Sequence, residues 1–298
     1  MMKNLERGQD TILITGPTAS GKSALAVRLA RDHGGVVVNA DSMQVYDTLR
    51  VLTARPSEAD MDGVPHRLYG HVPAGHSYST GEWLRQVTVL VNELRAEGRV
   101  PVIVGGTGLY FKALTGGLSE MPDVPDAIRA RLRARLQAEG PGPLQARLAE
   151  CDPETAAVLK PEDGQRIVRA LEIFEATGRS IRGFQAAPGA TVVDPERALK
   201  MVVMPERDEL RQRIDRRFET MLDQGAIEEV ERLLAQNLSP DLPAMKAIGV
   251  PQIAAMLRAE MDRRAVIETA SAATRQYAKR QMTWFRNQLD ERWERVVP

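Results

Sequence analysis

A glycine-rich loop between a predicted strand and a predicted helix constrains this chain more than any other feature. The strand covers Thr11–Thr15 and the helix about Ser23–Arg31. The loop consists of Gly16, Pro17, Thr18, Ala19, Ser20, Gly21, Lys22 and Ser23. Glycines let the backbone N–H groups point at an anion, the lysine adds positive charge, and the helix dipole favours the same anion. The motif therefore predicts a phosphate-binding loop (P-loop) for a di- or triphosphate, with the hydroxyl of Ser23 as a Mg²⁺ ligand.

The cysteine content indicates the cellular compartment, whereas the net charge does not identify the ligand. The chain has 40 basic and 40 acidic residues, so only local clusters of charge can indicate a nucleic-acid partner. Its single cysteine, Cys151, excludes an intramolecular disulfide and favours a reducing cytoplasm. Residues 1–10 lack an apolar signal core, and no apolar run is as long as a membrane helix. We therefore expect a cytoplasmic protein with no membrane partner.

Apolar β-branched runs alternate with helical patterns in the first part of the chain. Further strands are predicted at Val36–Asn39, Pro101–Val104 and Lys200–Met204, and an amphipathic helix at Thr80–Ala96. This alternation predicts an α/β fold, a P-loop NTPase-like parallel sheet core flanked by helices. Ligands in such sheets bind at the carboxyl ends of the strands, where the P-loop, residues 40–44 and residues 105–108 would meet.

The pattern changes to helices from residue 122 onward. A loose Ala/Pro/Gly-rich stretch over residues 183–194 reads as a linker back to the sheet. We therefore expect residues 1–120 and 196–298 to form the P-loop core with C-terminal helices. Residues 121–195 would form a smaller, mainly helical insertion.

Two further segments would follow strands at the predicted binding edge. Asp41 could contact Mg²⁺, act as a general base, or serve only as a turn residue hydrogen-bonded to the backbone. The Gly105–Gly108 turn offers backbone N–H groups, and the hydroxyl of Thr107 could donate to a leaving oxygen. A glycine cluster can also do no more than ease a strand-to-helix turn.

Basic side chains form four clusters at helical spacing. They are Arg129 with Arg133, Arg166 with Arg169, Arg213 with Arg217, and a C-terminal set of Arg275, Lys279, Arg280 and Arg286. Any one cluster could be a solvated helix face. Four of them in a phosphate-binding chain favour an anionic ligand larger than a nucleotide. The aromatic pair Trp284–Phe285 in the last set could stack on bases or pack in the core.

Six segments in this order resemble the tRNA dimethylallyltransferase (tRNA isopentenyltransferase) family, over nearly the whole chain from Ile12 to Arg286. They are residues 16–23 (GPTASGKS), 41–46 (DSMQVY), 65–68 (PHRL), 105–110 (GGTGLY), 163–172 (DGQRIVRALE) and 274–286 (TRQYAKRQMTWFR). The stretch after Tyr46 departs from the family pattern, because Asp47-Thr48 stands where an Arg-Gly pair is common. We assign no catalytic role to that stretch.

The resemblance implies transfer of a five-carbon group from dimethylallyl diphosphate to the exocyclic N6 of the adenine 3′ of the anticodon in tRNA. The P-loop would hold the diphosphate with Mg²⁺, Asp41 would be the base, Thr107 would donate to the leaving oxygen, and Arg213 would clamp the diphosphate. The residues implied to contact the tRNA anticodon stem-loop are Asp41, Ser42, Met43, Gln44, Thr107, Arg129, Gln165, Arg166, Ile167, Val168, Arg169, Lys279, Arg280 and Arg286, together with the segment 245–250. We expect a monomer.

Two other functions fit parts of the sequence. A P-loop kinase of a small molecule or nucleoside would share the P-loop and Mg²⁺ and would use Asp41 as base for a hydroxyl, but it would leave the C-terminal basic region without a purpose. A non-catalytic or ATP-hydrolysing RNA-binding module would leave Asp41 and Thr107 unexplained.

Overall fold

A single parallel sheet organises the larger part of the molecule. The computed structural model describes residues 5, 8–187 and 189–297. The strands in chain order are β1 (Thr11–Thr15), β2 (Val36–Asn39), β3 (His66–Arg67), β4 (Pro101–Gly105), β5 (Ala198–Val203) and β6 (Glu294–Val296). They lie side by side in the order β3-β2-β4-β1-β5-β6, and every pairing is parallel. The expected α/β fold with a parallel sheet is confirmed.

Helices follow the strands and fill the C-terminal part. They are α1 (Lys22–Asp32), α2 (Glu58–Met61), α3 (Thr80–Ala96), α4 (Gly108–Gly116), α5 (Asp126–Glu139), α6 (Pro141–Cys151), α7 (Pro153–Val158), α8 (Gly164–Thr177), α9 (Ile181–Gln185), α10 (Arg207–Asp223), α11 (Ala226–Leu234), α12 (Val250–Leu257) and α13 (Arg263–Gln288). Within the described part of the chain, no helix is both long and apolar enough to cross a membrane.

The central strands are buried on both faces, which explains their unbroken apolar sequences. Successive side chains point to opposite faces. Ile12 and Ile14 pack in the cluster that contains the apolar face of α1. Leu13 packs in the opposite cluster, with Trp83 of α3 and Phe285 of α13. The register aligns Ile12 with Val102 on β4 and with Leu199 on β5, so the carboxyl ends of these three strands lie at one edge.

The chain divides into two compact units. One contains the described residues up to Thr115 and from Val192 onward, and the other is Gly116–Thr191. The second unit consists of α5–α9 around its own core, in which Leu132, Leu144 and Leu171 are buried. The sequence placed the boundaries of the insertion at 121 and 195. In the predicted linker, residues up to Gln185 belong to α9, and Pro188 lies outside the described residues.

Candidate active site

The P-loop turns sharply at the carboxyl end of β1. A Cβ atom at Gly16 would lie 2.6 Å from the carbonyl oxygen of Val203, at the end of β5, so only glycine fits there. Gly21 adopts φ 85° immediately before α1, a conformation that glycine reaches without steric cost. The Nζ atom of Lys22 donates to the carbonyl of Pro17 at 3.2 Å and so folds its charge back over the loop.

Lys22 is held in a poorly solvated position. Burial lowers the pKa of Lys22 well below its ordinary value, to about 8, while the carboxylate of Asp41 raises it and the guanidinium of Arg217 lowers it further. Two cations with one carboxylate beside a P-loop leave excess positive charge, which an incoming phosphate would neutralise. The hydroxyl of Ser20 is buried and has no hydrogen-bond partner among the described residues, so it is available to a phosphate oxygen.

Asp41 sits in a turn built by a buried asparagine. Asn39, the last residue of β2, accepts from the backbone N–H of Asp41 at 2.9 Å and donates to its carbonyl at 3.0 Å. The same amide of Asn39 donates to the carbonyl of Leu68 at 3.0 Å. Oδ1 of Asp41 accepts from the N–H of Met43 at 2.9 Å. Asp41 is therefore a turn residue that also presents its carboxylate to a cavity.

The turn after β4 packs directly on this segment. A Cβ at Gly105 would lie 2.0 Å from the carbonyl oxygen of Ala40, which excludes any larger residue. The hydroxyl of Thr107 accepts from the N–H of Ser42 at 2.9 Å and donates to Oγ of Ser42 at 3.2 Å. Thr107 is thus fixed beside the Asp41 turn, and the longer of its two bonds uses the hydroxyl proton.

Helix α13 lies across both glycine-rich turns through a residue that the sequence did not single out. Gln281 is buried, accepts from the N–H of Thr18 at 2.9 Å and donates to the carbonyl of Gly106 at 2.9 Å. Nearby, a Cβ at Gly108 would lie 2.4 Å from the ring of Trp284. One signal was present in the sequence: positions 274, 278, 281 and 285 form a helical stripe, and all four are buried.

A cavity of about 290 Å³ opens between these elements. Its lining includes Thr18, Asp41, Ser42, Met43, Leu52, Thr53, Ile214, Arg217, Phe218, Met221, Lys246, Ala247, Ile248, Thr274, Tyr277 and Arg280. The lining combines polar and charged side chains with an apolar wall formed by Leu52 and by Phe218 and Met221 of α10, which pack in one hydrophobic cluster. Burial and, secondarily, the carboxylate of Asp41 raise the pKa of Tyr277, which keeps its hydroxyl protonated. Gln44 faces elsewhere, since its amide donates to the carbonyls of Thr53 and Ala54.

Arg213, which the resemblance implies as the clamp on the diphosphate, does not line the cavity. Arg213 pairs with Glu209 one turn earlier in the same helix. Arg217, one turn later, lines the cavity and donates from Nη2 to the hydroxyl of Thr18 in the P-loop at 2.6 Å. Residues four apart share a helix face but differ by about 6 Å along the axis. Arg217 is therefore the arginine of this pair that contacts the P-loop.

The C-terminal basic residues lie on the exposed side of α13. Lys279, Arg280 and Arg286 are exposed, and the guanidinium of Arg280 lies 5.7 Å from the ring centre of Tyr277. Phe285 is buried in the core and Trp284 packs on Gly108, so the aromatic pair is a packing element of this helix. In the segment 245–250, Lys246 is exposed and pairs with Asp241.

The remaining predicted tRNA contacts lie in the helical unit. Arg129, Arg166 and Arg169 pair there with Asp126, Asp163 and Glu172 at 3.8, 3.4 and 3.1 Å. Gln165 is exposed at the start of α8. Ile167 and Val168 are buried in the core of the unit, so their side chains pack rather than face solvent.

The donor set fits a magnesium ion that is held mainly by a phosphate. The described residues contain no group of three His, Cys, Asp or Glu side chains able to hold a metal. Ser23, in the first turn of α1, offers one hydroxyl. Mg²⁺ at phosphate sites commonly uses one or two protein oxygens and completes its shell with phosphate oxygens and water.

A P-loop and a carboxylate that face one cavity at the edge of a parallel sheet define a group-transfer enzyme of the P-loop class. A family model described as IPP transferase matches residues 44–288, and one described as isopentenyl transferase matches residues 9–72. The chain belongs to the IPP transferase family.

Individual relatives cover the whole chain or nearly all of it. It is 68% identical over 298 residues to a tRNA dimethylallyltransferase of Agrobacterium fabrum, covering 100% of both chains. It is 66% identical over 296 residues to that of Rhizobium meliloti, covering 99% of this chain and 98% of the relative. The crystal structure of the full-length tRNA isopentenylpyrophosphate transferase of Bacillus halodurans is similar at 33% identity, with a TM-score of 0.68 and coverage of 97% and 90%. A eukaryotic dimethylallyltransferase acting on tRNA is similar at 27% identity, with a TM-score of 0.78 and coverage of 93% and 70%.

Proposed function

We propose that this enzyme transfers the dimethylallyl group of dimethylallyl diphosphate to the exocyclic N6 of the adenine 3′ of the anticodon in tRNA, releasing diphosphate. The observation that carries the proposal is the cavity in which Arg217 and Thr18 of the P-loop meet the carboxylate of Asp41 and an apolar wall. Each of the three parts has a task in that reaction.

The cationic part stabilises the leaving group. As the allylic C–O bond breaks, negative charge develops on the departing diphosphate. Lys22, Arg217 and the amides of the P-loop stand where that charge would form, and fixed donors of this kind lower the barrier most when they are held in place beforehand. When bound at Ser23, Mg²⁺ would add a further positive charge on the diphosphate oxygens.

The carboxylate of Asp41 acts as the base for the adenine acceptor. The lone pair of the adenine amine is delocalised into the ring, so the amine is a poor nucleophile. The C–N bond forms as the N6 proton passes to the carboxylate of Asp41, which Asn39 and Met43 hold in its turn. Thr107 would turn its hydroxyl proton from Ser42 to the bridging oxygen of the leaving group.

The apolar wall suits a prenyl group. Leu52, Phe218 and Met221 line the cavity and belong to one hydrophobic cluster. Burial of apolar groups contributes about 0.8 kcal/mol per methylene, so a five-carbon chain gains several kcal/mol there. A kinase would need to bind and position a hydroxyl acceptor, and an apolar wall offers no hydrogen bond to a hydroxyl group.

The basic side chains are proposed to bind the tRNA. Lys279, Arg280 and Arg286 offer exposed cations on α13. In the helical unit Arg129, Gln165, Arg166 and Arg169 stay predicted contacts, whereas Ile167 and Val168 would act only by shaping α8. The target base must leave its stack to reach a cavity, which costs least in a single-stranded loop. A tRNA substrate and a single cysteine favour the cytoplasm, and the monomer stays a prediction that sedimentation checks.

Label transfer tests the proposal. The enzyme is incubated with either prenyl-labelled dimethylallyl diphosphate or γ-labelled ATP, each with and without unmodified tRNA. We expect label in the RNA only with the prenyl donor. Transfer of the γ-phosphate to any acceptor, with no prenyl transfer, would contradict the proposal and support a kinase.

A further inference from the structure

Gln281 has an unusual place for a polar side chain in α13. The outer side of this helix carries Lys279, Arg280 and Arg286, whereas Gln281 points inward and is 6% exposed. Its neighbours on the buried stripe include Ala278 and Phe285. Burying a primary amide costs free energy unless all of its hydrogen-bonding groups find partners.

The oxygen and the nitrogen of the Gln281 amide each form a hydrogen bond, and the two partners lie in different catalytic segments. Oε1 accepts from the backbone N–H of Thr18 in the P-loop, and Nε2 donates to the carbonyl of Gly106 in the turn that carries Thr107. Thr18 in turn accepts from Arg217 through its hydroxyl. One side chain therefore joins the P-loop, the leaving-group cation and the Thr107 turn.

The turn after β4 is shaped around this contact. A Cβ at Gly106 would lie 2.3 Å from Nε2 of Gln281. Glycine at 106 is thus explained by the approach of the Gln281 amide. The Thr18 N–H is also committed to Gln281, so a phosphate must be held by the later amides of the loop.

We propose that Gln281 is a positioning residue for the transfer reaction, fixing the separation between the P-loop that holds the diphosphate and the turn that brings Thr107 to its bridging oxygen. The inference rests on the proposed function for its kinetic consequence. Gln281 touches neither substrate, and it acts through Thr18 and Gly106. Misplacement of a catalytic group by about 1 Å can lower a rate by about 10²-fold.

Two variants disturb the contact from opposite sides. Gln281→Met keeps the length of the side chain but removes both hydrogen bonds. Gly106→Ala leaves α13 intact and displaces only the tip of the Gln281 side chain. Ser271→Ala is the matched control, because Ser271 is buried in the same helix and its hydroxyl has no partner among the described residues.

Single-turnover rates with saturating labelled donor and tRNA give the first readout. We expect each variant to lose about 10- to 100-fold in rate with less than about a threefold change in donor affinity. The double variants Gly106→Ala/Gln281→Met and Thr107→Val/Gln281→Met should each react no more slowly than the slower of their two single variants. This is expected because the three residues act as one unit. Ser271→Ala should react like the unchanged enzyme.

Hydrogen exchange at the Thr18 amide gives a readout that needs no reaction. Exchange should accelerate in both variants and stay unchanged in Ser271→Ala, even if the proposed reaction were wrong. Rates within about twofold of the unchanged enzyme, or losses that multiply in the double variants, would overturn the positioning role. If the unchanged enzyme transferred no prenyl group, the proposed function would fail, and the exchange data alone would decide whether Gln281 holds the P-loop.

Discussion

Replacing Arg217 by methionine should damage the chemical step far more than the same change at Arg213. The two arginines lie one helical turn apart in α10 and are alike in sequence context. Arg217 contacts Thr18 of the P-loop, whereas Arg213 pairs with Glu209 on the helix surface. The pair of variants therefore separates a cation in the site from a cation beside it.

The expected magnitudes follow from these surroundings. A fixed donor that meets charge developing in the transition state contributes about 3–4 kcal/mol, or about 10²–10³ in rate. Arg213 does not line the cavity, so its loss should change the rate by less than about threefold. Its pair with Glu209 contributes only about 0.3–0.5 kcal/mol to the free energy of unfolding, so the Arg213 variant should stay folded. Methionine keeps most of the length of the arginine stem, which limits the effect of lost packing.

Single-turnover transfer of label at saturating donor and tRNA is the assay, with thermal unfolding to show that each variant is folded. A Thr18→Val variant removes the hydroxyl that anchors the Arg217 guanidinium and should show a smaller loss in the same direction. Equal losses in the Arg213 and Arg217 variants, or a larger loss in Arg213→Met, would refute the assignment of Arg217.

Three further predictions concern the loop, the turn and the RNA. Because burial lowers the pKa of Lys22 to about 8, its charge in the unliganded enzyme is lost as pH rises through that value. Affinity for dimethylallyl diphosphate should therefore fall about tenfold between pH 7 and pH 9 by calorimetry, and Lys22→Arg should abolish this dependence. Asn39→Leu should lower the single-turnover rate by about 10², because it releases the turn that holds Asp41, with thermal unfolding as the check that the variant is folded; an unchanged rate would dismiss that role. In a filter-binding titration, the logarithm of tRNA affinity should fall linearly with the logarithm of salt concentration, by about 0.7–0.9 for each phosphate contacted. The Lys279→Ala/Arg280→Ala variant removes two cations and should flatten this slope by up to about twice that value. An unchanged slope would count against α13 as an RNA-binding surface.

The centre of the sheet could be predicted from local sequence. Thr11–Thr15 and Val36–Asn39 were predicted with the bounds that the structure has, because apolar runs between glycine-rich turns have few alternatives. The edge strands β3 and β6 were missed. They have two and three residues, and a segment so short and partly exposed carries no periodic signal.

The site could be predicted as far as local motifs define it. The P-loop and the Asp41 turn each depend on neighbours in sequence, and the turn after β4 follows from sheet topology. Whether Arg213 or Arg217 reaches the P-loop depends on which turn of α10 lies beside it. The spacing of the two arginines in sequence shows that they share a helix face but does not show which turn that is. Gln281 was missed because its partners lie 263 and 175 residues away in the chain.

Mapping the modified nucleotide in tRNA shows whether the enzyme carries out the proposed transfer. Unmodified tRNA with an adenine 3′ of the anticodon is incubated with the enzyme and dimethylallyl diphosphate, digested, and read by mass spectrometry. We expect one added C₅H₈ unit on N6 of that adenine, and a single-turnover rate lower by about 10² or more with Asp41→Asn. Modification of another nucleotide, or an unchanged rate in the Asp41 variant, would contradict a reaction built on this cavity.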